Sequence, residues 1–512
     1  MSITSEKIQK DINRGASITF LGNLLKMVEF PLTLLAARLF GVEAWGQYTF
    51  LATFIMPIVR FSTLGLDKGM VWFIARHHGQ RIDPAFFFRI QKILIGIAAA
   101  LIAAYAAHHL LQGPADATKR LFEPGAFALF VACVPFLVLT NLNLGISLGI
   151  KKPEHEALVR SVLYPLGYLA LPCLAAVLGS HTIRTLALFY LLGSIAGWIA
   201  SFLMVRPVRA QLAAHPEGLA AREAFSVLFN YSWPLGLRDV MLSLQQRADI
   251  WCLALFLEPK YLGIYGLASS VANSLKTIRQ SFDTIMLAVI SQMKRHLDTD
   301  RIIEAYLYAA QMIMAVQAPI LAFLVFFAKP ILSLSGPEYA QGEMAVVISA
   351  FTLVLNGYLG LSAIIVLGLN KTRWALINDI GALAWAVMFN FLLVPRYGVT
   401  GAALATSLSI LLTNFAWYGE AIYLLKRVPI RASVVILFLC SLATLGTSYG
   451  LWRAFGGDGL WGRAAGFALF LAAFGAVVFA YWKRGILKIR KVETPEDPNA
   501  PSAASVDKAT LG

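Results

Sequence analysis

Apolar residues run through the chain in blocks of about 20, set apart by short clusters of charge. Fourteen blocks can be drawn, with cores near 17–38, 46–65, 88–110, 126–149, 158–179, 185–205, 226–256, 262–291, 306–328, 343–368, 374–394, 399–424, 432–452 and 463–482. We number them spans 1 to 14. A helix rising 1.5 Å per residue needs about 20 residues to cross a hydrocarbon core, so each block predicts a transmembrane helix. The short alternating strands of an outer-membrane barrel are not the pattern here. The first block follows Lys7, Lys10 and Arg14 and no small-residue cleavage site follows it, so it reads as a retained span and not a signal peptide.

The fold class this predicts is an all-α polytopic membrane protein. A weak internal repeat divides it. Leu39-Phe40-Gly41…Gly46-Gln47-Tyr48 recurs as Leu255-Phe256-Leu257…Gly263-Ile264-Tyr265, and Leu148-Gly149-Ile150-Lys151-Lys152 as Leu367-Gly368-Leu369-Asn370-Lys371. The two offsets nearly agree, so spans 1–6 and 7–12 read as copies of one six-helix unit. Six is even, so the copies share an orientation, related by a pseudo-two-fold axis along the membrane normal. The expected units are residues 1–215, 216–428, a pair of additional helices over 429–490, and a tail over 491–512. The tail is rich in Pro, Ala, Ser and acids and is expected to be disordered.

Composition agrees with the pattern. Of 512 residues 58% are hydrophobic and 14% charged, where a soluble domain carries about a quarter charged. That excludes a soluble enzyme. The net charge of +15 would suggest nucleic acid in a soluble protein. Here it sorts by loop. With the N-terminus in the cytoplasm, 28 of the 43 Lys and Arg fall on the cytoplasmic side, nine on the other side and six within spans. Steady alternation predicts fourteen spans with both termini cytoplasmic. Cys133, Cys173, Cys252 and Cys440 each lie inside an apolar block, which argues against a disulfide framework. Trp45, Tyr48, Trp72, Tyr261, Trp374, Tyr481 and Trp482, near span ends, read as interfacial anchors.

The candidate chemistry lies in the six basic residues inside spans: Lys26, Arg60, Arg238, Arg247, Lys276 and Arg279. Each costs roughly 2.5–3.5 kcal/mol near the bilayer centre, so each must face a wet cavity or a partner. At 100° per residue, Thr19, Asn23, Lys26 and Thr33 share a stripe on span 1, with Glu29 at its edge. Thr49, Thr53 and Arg60 align on span 2. Arg238, Gln245 and Asp249 form a ridge on span 7, with Asp239 and Gln246 alongside and Arg247 pointing away. Ser269, Asn273, Lys276, Gln280 and Asp283 belong to a polar face of span 8, with Arg279 at its margin. Spans 1, 2, 7 and 8 are therefore expected to line a cavity. The basic groups could hold a diphosphate through bidentate contacts, and Gln245, Asn273 and Gln280 could meet sugar hydroxyls. The competing reading makes ion pairs of Lys26 with Glu29, Arg279 with Asp283, and Arg247 with Asp249 or Asp239. Arg60 has no acid on its own span. Glu29, Asp239, Asp249 or Asp283 could also carry H+ or Na+ as a coupling ion. Asp379 and Glu420 read as interfacial. No Gly-rich phosphate loop or nucleotide-binding domain is present, and no cofactor is implied.

Leu35-Ala36-Ala37-Arg38-Leu39-Phe40-Gly41, then Gly46-Gln47-Tyr48, and the run Gly368 to Thr372 with Val394-Pro395-Arg396-Tyr397-Gly398-Val399-Thr400-Gly401 to Thr406, resemble the polysaccharide-biosynthesis and O-antigen flippases of the multidrug/oligosaccharidyl-lipid/polysaccharide (MOP) exporter superfamily. The resemblance covers roughly residues 10–425. It implies two six-helix lobes around a central cavity that opens alternately to each side. It also implies an undecaprenyl-diphosphate-linked oligosaccharide as cargo, the bacterial inner membrane as location, and polymerase and glycosyltransferases of one surface-polysaccharide pathway as possible partners. Two alternatives keep their place. One is a cation-coupled multidrug antiporter of the same fold, which predicts an acid-dominated cavity. The other is a membrane glycan polymerase or ligase, which predicts a large external loop, and the external loops here are short.

Overall fold

The protein is described by a computed structural model covering residues 29–76, 81–82, 84–112, 123–213, 218–219, 221–293, 299–369, 371–457 and 459–483. Lys26, the start of span 1 and the expected tail lie outside the described residues.

Helices fall at all fourteen predicted spans. Span 1 ends, and span 2 runs, inside one continuous stretch, Glu29–Thr63, broken at Gly41 with φ +80°. Spans 11 and 12 likewise share Thr372–Leu425, broken at Gly398 with φ +55°. At 1.5 Å per residue that 54-residue stretch is more than twice the thickness of a hydrocarbon core, so it holds two crossings. Only glycine adopts such backbone angles without strain, so these two glycines mark the hairpins. Span 2 continues past Leu64 and Gly65 into Leu66–Arg76, bent by 42°.

The remaining spans are Pro84–Gln112 (span 3), Pro124–Ala132 with Val134–Gly149 (span 4), Pro153–Val177 (span 5) and Ile183–Ala213 (span 6). Then come Ala221–Gln245 with Ala248–Phe256 (span 7), Pro259–Met293 (span 8), Thr299–Ser333 (span 9), Glu343–Leu359 with Ser362–Gly368 (span 10), Ala432–Phe455 (span 13) and Leu460–Lys483 (span 14). Spans 7 and 8 are not among the helices that pass as membrane-crossing on apolarity alone. Their polar residues, which made them stand out in the sequence, are the reason. Among the described residues the strands are Arg81–Ile82 and Gly218–Leu219, which pair in parallel and tie the segment after span 2 to the segment before span 7.

The spans form two six-helix lobes related by a pseudo-two-fold axis, with two further helices. Spans 13 and 14 pack on each other and on span 9, and so belong to the second lobe's flank. Arg463 holds span 14 there. It is 9% exposed, donates from Nη1 to the Phe326 carbonyl at 2.8 Å and lies 4.8 Å from the centre of the Trp452 ring. Large apolar side chains such as Leu178, Phe455 and Trp461 are exposed on the outside, as a lipid-facing surface requires.

Span 8 packs along the Glu29–Thr63 stretch. A Cβ on Gly46 would sit 1.8 Å from the Pro259 carbonyl oxygen and 3.0 Å from the Gly263 amide nitrogen, and one on Gly263 would sit 3.1 Å from the Gly46 nitrogen. Gly46 and Gly263 are the matching glycines of the internal repeat, so the copies touch each other near the axis. Toward the other end of span 2, Gly65 meets Gly236 backbone to backbone and Lys68 donates to Asp239 at 2.5 Å.

Candidate functional site

Between the lobes lies a cavity of about 370 Å³. Its wall takes Glu29 and Thr33 from span 1, Trp45, Tyr48, Thr49 and Thr53 from span 2, Arg160, Tyr164 and Tyr168 from span 5, and Tyr190 from span 6. The second lobe adds Arg247 and Ile250 from span 7 and Gly266, Ser269, Ser270 and Asn273 from span 8. The four spans expected to line a cavity all do so. Spans 5 and 6 join them, and the first lobe supplies most of the aromatic surface.

Local backbone explains the placing of the two arginines. Span 5 is not a plain α-helix: Val159–Leu163 and Leu166–Ala170 are π-helical on either side of Tyr164 and Pro165. Pro165 has no N–H to give to an α-helical ladder, and π turns re-aim side chains and recur at functional sites. Arg160 sits in the first of them. Its Nη2 donates to Asn141 Oδ1 at 3.0 Å and its Nε lies 3.0 Å from Glu156 Oε1. On span 7 the helix stops at Gln245 and restarts at Ala248, with Arg247 between at φ −124°, ψ −4°. A constant 100° step across that break puts Arg247 on the wrong face. In the fold it lines the cavity; its amide donates to the Leu244 carbonyl, and its guanidinium forms no hydrogen bond or salt bridge among the described residues.

Span 6 seats the aromatic wall through a small-residue pair four apart, Gly193 and Gly197. A Cβ on Gly193 would lie 2.8 Å from the Tyr168 ring, and one on Gly197 2.6 Å from the Tyr164 ring. Such spacing lets helices close on one another in a membrane. Tyr164 stacks on Tyr168 (4.9 Å between centres, 17°), and Tyr168 on Tyr190 (4.1 Å, 19°). Tyr190 meets Tyr48 edge-on at 6.1 Å, and Tyr48 stacks on Trp45 at 4.9 Å. Trp45 and Tyr48 read from the sequence as interfacial anchors; exposures of 4% and 9% put them inside instead. Tyr168 has a partner in Ser194 Oγ at 3.0 Å. The Trp45 indole N–H and the Tyr190 hydroxyl are buried without one among the described residues, and an unpaired buried polar group costs about 1–3 kcal/mol.

The other expected site residues are distributed as follows. Arg60 lies 3.3 Å from Asp67, an acid beyond the sequence-drawn end of span 2, brought back by the bend at Leu64–Gly65. Arg238 Nε donates to Asp379 Oδ2 at 2.8 Å, so Asp379, 5% exposed, is a buried partner and not an interfacial group. Asp239 takes Lys68. Arg279 pairs with Asp283 at 3.3 Å and donates to the Gly360 carbonyl. Asp249 is buried, accepting from the Tyr265 hydroxyl at 2.6 Å and from the Ile250 amide. The ion-pair reading thus describes Arg279 with Asp283, whereas Arg247 makes no salt bridge with Asp249 or Asp239 among the described residues. Lys276, Gln245 and Gln280 do not line the cavity; Asn273 does, donating to Ser269 at 3.3 Å. Glu420 accepts from Asn378 at 2.8 Å. Arg160, at the start of span 5 and not among the basic residues singled out in the sequence, is a further lining residue. The spacing Arg160-Tyr164-Tyr168 on one face, opposite Gly193 and Gly197, was the available signal.

The fold superposes on membrane transporters of known structure. The chain superposes on a structure described as the lipid II flippase MurJ in an inward closed conformation, with TM-score 0.73 and 15% identity, over 92% of this chain and 99% of that one. It also superposes on an inward-facing multidrug resistance MATE family transporter of the MOP superfamily (TM-score 0.61, 14% identity, 79% and 98% of the two chains). A third is a MOP superfamily transporter from Pyrococcus furiosus, described as having a binding pocket of reversed polarity that suggests a different function (TM-score 0.54, 15% identity, 81% and 96%). No curated protein matches at the sequence level. A profile of the polysaccharide biosynthesis protein family matches residues 12–282, more than half of the chain. With two six-helix lobes closing on a shared cavity, the chain belongs to the polysaccharide biosynthesis protein family and has the MOP-superfamily transporter fold.

Proposed function

We propose that the protein is a flippase carrying a polyprenyl-diphosphate-linked oligosaccharide across the bacterial inner membrane by alternating access, for surface polysaccharide assembly. The observation that carries this reading is the guanidinium of Arg247, without a hydrogen-bond or salt-bridge partner among the described residues, set with Arg160 in an inter-lobe cavity whose wall is mainly aromatic, hydroxyl, amide and aliphatic. Two phosphates supply about two negative charges, and guanidinium groups bind them bidentately. The polyprenyl tail stays in lipid while the head group passes between lobes 1–215 and 216–428, with 429–490 flanking the second. The excess of basic residues on alternate loops supports an orientation with both termini cytoplasmic. A multidrug antiporter would want acids to hold cations, and Glu29 is the one acid among the described lining residues.

The test is transfer of a lipid-linked oligosaccharide across vesicles by Arg247→Ala and Arg160→Ala. Loss of one charge-assisted contact of about 1.5–3 kcal/mol predicts transfer at least tenfold slower at equal protein level. Normal transfer in both variants overturns the assignment.

A further inference from the structure

Two polar atoms of the aromatic wall, one on Trp45 and one on Tyr190, are buried without a partner among the described residues. Trp45 and Tyr190 are 4% and 2% exposed, both line the cavity, and Tyr48 bridges their rings. Neither the indole N–H nor the phenol hydroxyl has a partner among the described residues. The neighbouring Tyr168 hydroxyl, in the same stack, is satisfied by Ser194. The chemistry of the pair is restrictive. An indole N–H only donates, whereas a phenol donates and accepts. A ligand meeting both must offer an acceptor to Trp45 and either role to Tyr190. Sugar hydroxyls both accept and donate, so they can serve either atom. A pyranose also has apolar C–H faces, which match flat aromatic surface, and its ring hydroxyls have fixed directions.

The cavity's size is consistent with such a ligand. At roughly 30 Å³ per water, 370 Å³ holds about a dozen waters, enough for about one or two sugar rings and too little for a long glycan. Arg160 and Arg247 stand in the same cavity as the aromatic wall. Building on the flippase reading, the geometry points to Trp45 and Tyr190 as a sugar-reading subsite: they hydrogen-bond a ring hydroxyl of the sugar next to the diphosphate, and Arg160 and Arg247 hold the phosphates. Specificity for the glycan then resides in the ring at the lipid end, the remainder extending out of the cavity.

The substitutions Trp45→Phe and Tyr190→Phe keep an aromatic ring at each position and remove the polar atom. Binding is measured in detergent by native mass spectrometry with two probes, bare polyprenyl diphosphate and the same lipid carrying one hexose. Wild type is expected to bind the hexose-bearing lipid more tightly. Each variant is expected to weaken that binding about tenfold and leave the bare lipid unchanged. Tyr168→Phe, which removes a hydroxyl already satisfied by Ser194, is expected to leave the preference between the two probes intact. Tyr190→Phe removes an unpaired buried group, so its ligand-free melting temperature is expected to hold or rise; a fall would mean the hydroxyl has a structural partner and would overturn the subsite. Equal weakening of both probes assigns the two atoms to phosphate and overturns it as well, as does unchanged binding of both. Wild type that binds neither probe defeats the flippase reading itself. Loss of the preference alone leaves that reading standing.

Discussion

Gly46 tests how the lobes close. In the structure its backbone lies against Pro259 and Gly263 of span 8. Substitution by alanine puts a methyl group 1.8 Å from the Pro259 carbonyl oxygen and 2.6 Å from its carbon. Ordinary carbon contacts need about 3.5 Å, and both atoms in the way are backbone, so span 8 must retreat by more than an ångström. Overpacking of this kind costs about 1–3 kcal/mol. The penalty applies only where the two spans meet. A state in which they have parted does not feel it, so the ratio of closed to open protein falls by about 5- to 150-fold. Spin labels at Glu43→Cys and Lys260→Cys, both exposed beside this seam, report the separation by pulsed electron resonance, with the four native cysteines replaced. Gly46→Ala is expected to move population toward the longer distance, and Gly263→Ala, whose methyl would meet the Val42 carbonyl at 2.3 Å, to do the same. Gly475→Ala on span 14 meets nothing within 4 Å and serves as the control. Well-folded Gly46→Ala and Gly263→Ala proteins with wild-type distance distributions would refute the reasoning.

Two further predictions concern charge inside the bundle. The Arg238–Asp379 pair has side-chain exposures of 30% and 7%, so Asp379→Ala strands a guanidinium and is expected to cost about 3 kcal/mol; in thermal melts the double variant Arg238→Met/Asp379→Leu should recover most of that loss. Arg463→Met removes the charged hydrogen bond to Phe326 and is expected to cost about 1.5–3 kcal/mol, read as a lower melting temperature with spans 13 and 14 cleaved early in limited proteolysis.

The architecture was legible because its signal is redundant. Twenty apolar residues, a charged cluster and a reversal recur fourteen times, and the small residues of the repeat fall where the lobes meet. The site was legible at the level of spans and less so at the level of residues. A helical wheel assumes a constant turn, and span 7 interrupts that turn at Gln246 and Arg247, so Arg247 and Asp249 exchanged the faces assigned to them. The π turns of span 5 are equally invisible to periodicity, which therefore does not single out Arg160 as a lining residue. Pairing was misjudged where the partner is remote or lies past a bend: Asp67 for Arg60, Asp379 for Arg238, Lys68 for Asp239. Trp45 and Tyr48 sit near a span end, as an interfacial anchor would, and only the packing of spans 5, 6 and 8 around them shows that the end is enclosed.

The contact between Gly46 and Gly263 has the form of an isologous interface, in which one patch meets its own copy. A six-helix chain with a single such glycine could make the same contact with a second molecule of itself. The seam therefore needs no covalent link between the lobes. On this view the stretch joining spans 6 and 7 acts as a tether that raises effective concentration, and a paired assembly could precede the fused chain. The geometry also couples the halves genetically: a bulky residue accepted in one copy of the repeat meets backbone belonging to the other, so neither half can change at this point alone.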